Sequence, residues 1–265
     1  MARPRVLASA ASVLTLTGAV LAATSGAAQA ATGAYVALGD SYSSGVGAGS
    51  YISDSGDCKR SSNAYPALWN AAHSPSSFTF AACSGATTDT VKSSQLGDLD
   101  SGTALVSVTA GGNDVGFASV MQKCVTSSDS ACQDAVDAAE AKMDGVLPGA
   151  LDSLYTAIRD KAANAKVVVL DYPHLYHISD SYCAGLSKTK REALNGGAEK
   201  LDDTIETAAN AHGFTFSDVR DDFDGHELCT GDGWLHSVAY PVDESYHPTA
   251  TGQADGYLPA FTGSA

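Results

Sequence analysis

The sequence predicts an α/β fold in which an open parallel sheet lies between two layers of helices. Five short apolar runs recur along the chain, and stretches with a helical pattern stand between some of them. Several of these runs are apolar throughout rather than alternating, which is typical of strands covered on both faces. No repeat and no low-complexity linker interrupts this order, so we expect one domain.

The elements follow in order along the chain. The predicted strands are the apolar runs at residues 35–38, 78–80, 104–108, 167–170 and 214–216. Residues 133–163 are rich in Ala, Asp, Leu and Lys and are predicted to be helical, but Gly145 and Pro148–Gly149 divide them in two. The connections 45–62 and 221–243 hold much of the Gly, Asp and Cys content, which predicts surface loops.

Residues 187–211 are predicted to form another long helix. Leu194, Leu201 and Ile205 fall on one stripe of it, with charged residues opposite. This pattern indicates a stripe that packs into the core rather than a lipid-binding surface. Gly196–Gly197 weakens the middle of the helix, because glycine has a low helix propensity.

The first thirty residues differ from the rest of the chain. Arg3 and Arg5 precede an apolar stretch at 6–23, which ends in Ala28-Gln29-Ala30. A charged start, an apolar middle and an A-x-A exit predict a secretory signal peptide over residues 1–30, and therefore a secreted domain over 31–265. Ser and Thr interrupt the stretch, which disfavours a membrane anchor. No other apolar run is long enough to span a bilayer, so we expect no stable membrane insertion.

The charge balance narrows the classes of partner. Removal of residues 1–30 takes away two of 15 basic residues and none of 30 acidic ones, which leaves 13 − 30 = −17. Nucleic acid and anionic membrane surfaces are disfavoured as partners, because like charges repel. A neutral lipid or another small ester remains compatible with this charge.

Six cysteines follow the predicted signal peptide, and they are Cys58, Cys83, Cys124, Cys132, Cys183 and Cys229. An even number in a secreted chain predicts three disulfides, and the lack of a C-x-x-C pair disfavours a zinc or thioredoxin-type site. Sequence alone leaves fifteen pairings open. The most plausible local pair is Cys124 with Cys132, which closes a short polar loop.

Three predicted strands are followed by residues that could take part in catalysis. These residues are Gly39-Asp40-Ser41, Cys83-Ser84-Gly85-Ala86-Thr87 and Thr109-Ala110-Gly111-Gly112-Asn113-Asp114. The carboxyl ends of parallel strands meet at one edge of a sheet, so the three should converge. Ser41 is a candidate nucleophile, and the Gly85 amide and the Asn113 side chain are candidate oxyanion donors.

Simpler interpretations exist for these residues. Ser41 lacks the G-x-S-x-G signature, because Ser43 stands where that signature needs glycine. On its own, Ser41 fits the N-cap of a helix better than it fits a nucleophile. Asp40 and Asp114 are predicted to be structural and to accept hydrogen bonds from turn amides.

The base that acyl transfer requires is predicted among seven histidines. His247 stands before Pro248, which favours an extended backbone, and three residues after Glu244. That spacing allows the Glu244 carboxylate to lie beside the imidazole.

Four other histidines are weaker candidates. His174 and His177 with Asp171 suggest a metal site, but they lack a fourth ligand, so a packing role is favoured. His226 and His236 lie in a predicted loop and carry no assigned role. We expect no metal site in this chain.

Taken together, four blocks of the chain resemble the SGNH (GDSL) hydrolase family. They occur in the family's order across nearly all of the mature chain: Gly39-Asp40-Ser41-Tyr42-Ser43, Gly85 within Ser84-Gly85-Ala86-Thr87, Gly111-Gly112-Asn113-Asp114 and Glu244-Ser245-Tyr246-His247-Pro248. Each block alone is a weak signal, and four in register are specific. With the signal peptide and the six cysteines, the chain resembles the secreted actinobacterial lipases, phospholipases and esterases of that family.

The resemblance implies a flavodoxin-like, three-layer fold with about five parallel strands. It implies sequential disulfides, which pair Cys58 with Cys83, Cys124 with Cys132 and Cys183 with Cys229. It also implies roles at the site: Ser41 is the nucleophile, His247 is the general base and then acid, and the oxyanion donors are the Ser41 and Gly85 amides with the Asn113 side chain.

One position departs from the family pattern. The family usually has Asp three residues before the histidine, and this chain has Glu244. Two arrangements therefore remain open: Glu244 as the acid of a triad, or a backbone carbonyl, such as that of Ser245, that orients His247.

The expected function is that of a secreted carboxylic ester hydrolase, a lipase or esterase. Phospholipids are among the candidate substrates. It would act through an acyl-serine intermediate as a monomer, with no metal or organic cofactor. A carbohydrate acetylesterase would use the same four blocks. An alternative of a different class is a secreted binding protein that keeps the fold without catalysis.

Overall fold

The structure is a computed structural model that describes Met1 and residues 33–180, 183 and 185–265. The predicted signal peptide at 1–30 lies outside the described residues, apart from Met1. The central sheet has five parallel strands in the order β2-β1-β3-β4-β5. The strands are β1 (Ala34–Gly39), β2 (Phe78–Phe80), β3 (Thr103–Thr109), β4 (Lys166–Leu170) and β5 (Thr215–Ser217).

The predicted strands correspond to the observed ones in number and sequence order, so the α/β fold class is confirmed. Only the last is displaced, by one residue, because Phe214 precedes β5. β1 is second in the order, between β2 and β3, and its register with β3 sets Leu38 beside Val108 and Gly39 beside Thr109. The carboxyl ends of β1 and β3 are therefore adjacent.

Helices cover both faces of the sheet. They are α1 (Ser41–Ser44), α2 (Tyr65–His73), α3 (Thr88–Ser94), α4 (Gly112–Val115), α5 (Phe117–Thr126), α6 (Asp129–Gly145), α7 (Leu147–Lys161), α8 (Lys188–Ala211) and α9 (Leu258–Ser264). Three 3-10 turns, Gly56–Cys58, Leu96–Asp98 and Val242–Glu244, and a π-helical turn, Gly252–Tyr257, lie in the connections.

The predicted division of residues 133–163 is present. α6 ends at Gly145 and α7 begins at Leu147, with Pro148 in its first turn, where the missing N–H has no helical partner to lose. α8 runs through Gly196–Gly197 without a break, so packing of its buried stripe outweighs the low propensity of the two glycines.

Aromatic side chains fill the layer between β1 and the helices α2 and α9. The Tyr35 ring lies 5.1 Å from Trp69 of α2 and 5.5 Å from Phe261 of α9, measured between ring centroids. On the other face α7 packs on both α3 and α8, and α6 packs on α8. The Leu194, Leu201 and Ile205 stripe is buried there, as predicted.

The six cysteines form the pairs Cys58–Cys83, Cys124–Cys132 and Cys183–Cys229. The first pair ties the loop after α1 to the segment after β2, and the second joins α5 to α6. Among residues 33–180, 183 and 185–265, no helix has both the length and the apolar character needed to cross a bilayer.

Candidate active site

Ser41 is the first residue of α1, directly beyond the carboxyl end of β1. The N-cap is Asp40, whose carboxylate accepts from the Tyr42 amide at 3.0 Å, so the capping role considered for Ser41 belongs to its neighbour. The Ser41 side chain is therefore free of that task, and the residue retains 8% exposure. A serine hydroxyl at this position faces the edge of the sheet.

His247 contacts Ser41 across 206 positions of sequence. Its Nε2 lies 2.7 Å from Ser41 Oγ, and its Nδ1 lies 3.0 Å from the backbone carbonyl oxygen of Ser245. A carbonyl oxygen only accepts, so in the neutral ring Nδ1 carries the proton and donates to Ser245. Nε2 is then the acceptor for the Ser41 hydroxyl, which is the tautomer that a base for Ser41 needs.

Glu244 has a different partner from the one that the triad interpretation expects. Its Oε1 accepts from the Tyr51 hydroxyl at 2.8 Å, and the same hydroxyl accepts from the Gly47 amide at 2.9 Å. Of the two arrangements left open by the sequence, the structure brings the Ser245 carbonyl to Nδ1 and places the Glu244 carboxylate on the loop that follows α1.

The loop after α1 packs closely behind the imidazole. Gly47 has a φ of +87°, and a Cβ there would lie 2.8 Å from the Pro248 carbonyl oxygen and 3.2 Å from His247 Cβ. His236 donates from Nε2 to the Gly47 carbonyl at 2.8 Å. The glycine-containing loop after α1 thus packs closely against the His247 segment.

The His247 segment is also tied to α1. The Tyr42 hydroxyl donates to the Tyr246 carbonyl at 2.7 Å, and Gln253, fully buried, donates to the Tyr42 carbonyl at 2.9 Å. Tyr246 itself has a positive φ of 63°, which non-glycine residues rarely adopt. These contacts fix the position of the histidine relative to the serine.

The Asp40 carboxylate is buried and fully occupied. Besides the Tyr42 amide, it accepts from the Thr109 hydroxyl at 2.7 Å and from the Tyr172 hydroxyl at 2.5 Å. The Tyr172 hydroxyl in turn accepts from the Gly112 amide at 3.3 Å. Burial raises the pKa of Asp40 to about 6, against the opposing effect of these three donors.

A chain of hydroxyls extends this network under α1. Because the Thr109 hydroxyl donates to Asp40, the Ser43 hydroxyl, 2.9 Å away, donates to Thr109. The Tyr65 hydroxyl, 2.9 Å from Ser43, then donates to Ser43. Ser43, the residue that breaks the G-x-S-x-G signature, is thus a fully buried member of the hydrogen-bond network beneath the nucleophile.

The candidate oxyanion donors are the Ser41 and Gly85 amides and the Asn113 side chain. Gly85 has a φ of +76°, and the space in front of its Cα is open within 4 Å. In the part of the chain that the structure describes, the Ser41 and Gly85 amides donate to no backbone acceptor. Asn113 donates one amide hydrogen to the Ala86 carbonyl at 3.0 Å, which leaves the second hydrogen of Nδ2 for another acceptor.

Asp114 is structural, as the sequence predicts. Its carboxylate accepts from the Thr88 hydroxyl at 2.6 Å and from the Thr88 amide at 3.0 Å. This contact joins α4, which carries Asn113, to the first turn of α3. Asn113 is thereby held near the segment that carries Gly85.

Burial also sets the electrostatics of His247. It lowers the pKa of the imidazole to about 4, and the Ser245 carbonyl and the nearby Asp243 carboxylate only partly offset this effect. The ring is therefore neutral at pH 7. A neutral imidazole is the form that accepts a proton.

An apolar pocket opens beside Ser41 and Asn113. It encloses about 690 Å³ including its open mouth. Its walls are side chains of α6 and α8, among them Val136, Met143 and Leu201. Leu201, predicted as core, is buried and also lines this pocket.

Two of the weaker histidine candidates, His174 and His226, have structural partners. His174 Nε2 pairs with the Glu199 carboxylate, and the His226 ring stacks on Trp234 with centroids 3.6 Å apart. Within the described residues, no group of three or more His, Cys, Asp or Glu side chains has the arrangement of a metal site.

Tyr172 is the main site residue that is missing from the predictions made from the sequence. It follows β4 in the run Asp171-Tyr172-Pro173, and so it reaches the same edge of the sheet as Ser41 and Asn113. The rule that ligands bind beyond the strand ends applies to β4 as well as to β1 and β3, and would have selected it. Tyr51 and His236 lie on loops, where no comparable signal exists.

Comparisons with known proteins agree with this geometry. The model of the GDSL-like Lipase/Acylhydrolase family matches residues 37–254. Lipase 1 of Streptomyces coelicolor is 57% identical over 269 residues, which covers 100% of both chains. The crystal structure of phospholipase A1 from Streptomyces albidoflavus NA297 is 54% identical, with a TM-score of 0.87 over 89% of this chain and 100% of that chain. The crystal structure of the extracellular lipase from Streptomyces rimosus is 52% identical, with a TM-score of 0.86 over 88% of this chain and 99% of that chain.

Proposed function

We propose that this chain, which belongs to the GDSL-like Lipase/Acylhydrolase family and is a serine ester hydrolase, is a secreted lipase or phospholipase that cleaves long-chain carboxylic esters through an acyl-serine intermediate. The observation that carries the proposal is the 2.7 Å contact between Ser41 Oγ and His247 Nε2 at the mouth of an apolar pocket. The hydroxyl supplies a nucleophile, the imidazole a base, and the pocket a place for an acyl chain.

The first half of the reaction transfers the acyl group to Ser41. His247 Nε2 takes the hydroxyl proton while Ser41 Oγ attacks the ester carbonyl carbon, and the carbonyl oxygen becomes an oxyanion. When the oxyanion collapses, the C–O bond to the alcohol breaks, and the proton on Nε2 passes to the departing alcohol. The products of this half are a free alcohol and an acyl-serine.

The second half returns the enzyme to its starting state. Water gives a proton to His247 Nε2 and attacks the acyl carbon, and collapse of the second oxyanion releases the carboxylic acid. The proton on Nε2 returns to Ser41 Oγ. In both halves the Ser245 carbonyl accepts from Nδ1, which holds the ring in orientation and stabilises the imidazolium that forms.

The oxyanion is proposed to accept from the Ser41 and Gly85 amides and from Asn113 Nδ2. Loss of one such donor typically reduces the rate by about 10²–10³. The Asn113→Ala variant is expected to fall in this range in kcat. It should bind substrate with little change in KM, because the donor acts on charge that develops in the transition state.

The substrate class follows from the pocket and from the relatives. Its walls, formed by α5, α6 and α8, are mainly aliphatic, so a hydrocarbon chain would be buried there at the expense of water. The named relatives are lipases and a phospholipase A1, which supports glycerolipids as candidates. The test is kcat/KM on p-nitrophenyl esters from acetate to palmitate, and preference for acetate would instead indicate an acetylesterase.

The acyl-serine step has its own test. A fluorophosphonate should label Ser41 in the folded protein, and the adduct should map to the peptide that contains it. The matched control is Ser41→Ala, which keeps Asp40 as the N-cap and should remain unlabelled. Labelling elsewhere, or none in folded wild type, would contradict the assignment.

Secretion rests on the N-terminal segment and the three disulfides, which persist in oxidising compartments. The S. rimosus relative is named as extracellular, which supports the same location here. N-terminal sequencing of protein from culture medium should begin at Ala31. Size-exclusion chromatography with light scattering should give the mass of a monomer.

A further inference from the structure

The wall of the apolar pocket has an unusual residue at its centre. α8 lines the pocket with Leu194, Gly197, Ala198 and Leu201, a spacing of three and four residues that places them on one helical face. Three of these positions carry apolar side chains, and Gly197 carries none.

The backbone does not explain a glycine at position 197. Gly197 lies inside a regular helix and has no positive φ, so alanine would fit its conformation. Glycine in such a position costs about 1 kcal/mol relative to alanine. The residue is thus unfavourable for α8 itself, and its advantage must lie in the space that it leaves.

That space faces α6. A Cβ on Gly197 would lie 3.2 Å from Val136 Cγ1, which is tighter than ordinary contact. Val136 lines the same pocket from the opposite side. The helices α6 and α8 therefore approach closely at this point, and a longer side chain at 197 would have to displace Val136 or extend into the pocket that both residues line.

The neighbouring glycine provides a direct contrast. Gly196 is exposed, has nothing within 4 Å of the position of a Cβ, and is absent from the residues that line the pocket. Both glycines lower the helix propensity of α8 equally, and only one borders the pocket. A comparison of substitutions at 196 and 197 therefore separates an effect on the pocket from an effect on helix stability.

We propose that Gly197 is a specificity-determining residue, whose missing side chain leaves room in the pocket beside Val136 so that a long acyl chain can be accommodated. The inference rests on the proposed function, because it takes the pocket as the acyl site. It adds which residue sets the acyl-chain length and in which direction a substitution changes it.

The experiment compares Gly197→Ala and Gly197→Leu with Gly196→Ala and Gly196→Leu on the p-nitrophenyl ester series. The readout is the ratio of kcat/KM for palmitate to that for acetate. Gly197→Leu should lower the ratio about tenfold or more, the scale on which an apolar pocket discriminates by size. Gly197→Ala should lower it about threefold, and the Gly196 variants should keep the wild-type ratio.

A second-site change sharpens the test. Val136→Ala removes the atoms that oppose residue 197, so the pair Val136→Ala with Gly197→Leu should regain most of the palmitate activity. Fluorophosphonate labelling of Ser41 at the wild-type rate shows that each variant is folded. If Gly197→Leu does not fold, Gly197→Ala, which favours the helix, carries the comparison.

Failure of the inference differs from failure of the proposed function. If wild type prefers palmitate but the Gly197 and Gly196 variants have equal ratios, the role of Gly197 is wrong and the lipase proposal stands. If wild type prefers acetate, the lipase proposal is wrong, and with it the premise for Gly197. A selective loss at position 197 supports both.

Discussion

Ser41 and His247, the proposed nucleophile and base, are held by two different kinds of structure. Ser41 stands on the sheet edge, and the groups that hold its N-cap, Thr109 at the end of β3 and Tyr172 just after β4, are buried. His247 lies outside the helices and strands, and the residues around it, such as Tyr51 and Glu244, also lie in connections and are partly exposed. The sheet fixes one half of the site and loop contacts fix the other.

This difference has a physical consequence. Hydrogen bonds to a buried carboxylate are strong and costly to leave unmade, whereas exposed ones contribute little. Substitutions around Asp40 should therefore reduce activity more than substitutions around Glu244. Substitution of His247 itself is the exception in the loop region, because it removes the proposed base that accepts the Ser41 proton.

The largest effect is expected from His247→Gln, which removes the base but keeps a polar side chain of similar size. Loss of a member of the serine–base pair should lower kcat by about 10⁴-fold or more. His226→Gln is the control, because that ring also lies on a loop but stacks on Trp234 away from Ser41. A His247→Gln enzyme with a tenth of wild-type kcat would contradict the assignment of the base.

Tyr172→Phe tests the buried half of the site. It removes the hydroxyl that joins Asp40 to Gly112, and a hydrogen bond to a charged group contributes about 1.5–3 kcal/mol. We expect kcat to fall about tenfold or more with KM nearly unchanged, because the ring that lines the pocket remains. The control is Tyr155→Phe, whose buried hydroxyl has no hydrogen-bond partner in the described part of the chain.

An equal effect of Tyr155→Phe and Tyr172→Phe would show that loss of a buried tyrosine hydroxyl is simply destabilising. Thermal unfolding of both variants separates stability from catalysis. A fall in kcat confined to Tyr172→Phe, at an unfolding temperature close to that of wild type, marks Tyr172 as a positioning residue for Ser41 and the Asn113 turn.

The pH profile distinguishes the two halves by their pKa values. Burial raises the pKa of Asp40 to about 6 and lowers that of His247 to about 4. Below its pKa His247 is protonated and no longer accepts from Ser41, so kcat/KM should fall about tenfold per pH unit below pH 4. Protonation of Asp40 near pH 6 should cause a smaller, earlier decrease, because it weakens the N-cap of α1 and the link to Tyr172.

Asp40→Asn assigns the two steps. This variant has no charge to lose at position 40, so the decrease near pH 6 should vanish while the limb near pH 4 remains. A wild-type profile that falls with a single step near pH 6.5 would show that His247 titrates as an ordinary histidine, and that its burial does not lower its pKa.

The contrast between the sheet edge and the loops also explains which site residues could be predicted from the sequence. Strands, strand ends and the residues that follow them are local patterns, so Ser41, Gly85 and Asn113 could be predicted from the chain alone. The local signals for His247, the following Pro248 and the spacing to Glu244, are weak, so its role as the base also depended on the family resemblance. The contacts of Tyr51 with Gly47 and Glu244 join residues up to 193 positions apart and leave no periodic signal.

Gly197 illustrates a second limit. Its low helix propensity is visible in the sequence, but the reason for it requires the position of Val136 on another helix. Leu201 was predicted correctly as core, and its second role as pocket wall depends on what α6 leaves uncovered. Sequence patterns identify which face is buried and do not reveal whether that face borders a cavity.

The smallest effect is expected from Glu244→Gln. His247 Nδ1 donates to the Ser245 carbonyl, and the Glu244 carboxylate accepts from the Tyr51 hydroxyl in an exposed contact. Glutamine keeps an oxygen that accepts from Tyr51, so kcat should fall less than about threefold, the scale of a weak surface interaction. Tyr51→Phe removes the same contact from the other side and should give a similar change in kcat.

A fall in kcat of about 10²-fold or more in Glu244→Gln alone would show that Glu244 is the acid of a triad. Removal of the charge that orients a catalytic histidine lowers kcat by about 10⁴. Equal, small losses in Glu244→Gln and Tyr51→Phe, with no further loss in the double variant, would show that the two residues act as one loop contact. The backbone carbonyl of Ser245 would then be sufficient to orient His247, and Ser41 and His247 would work as a dyad.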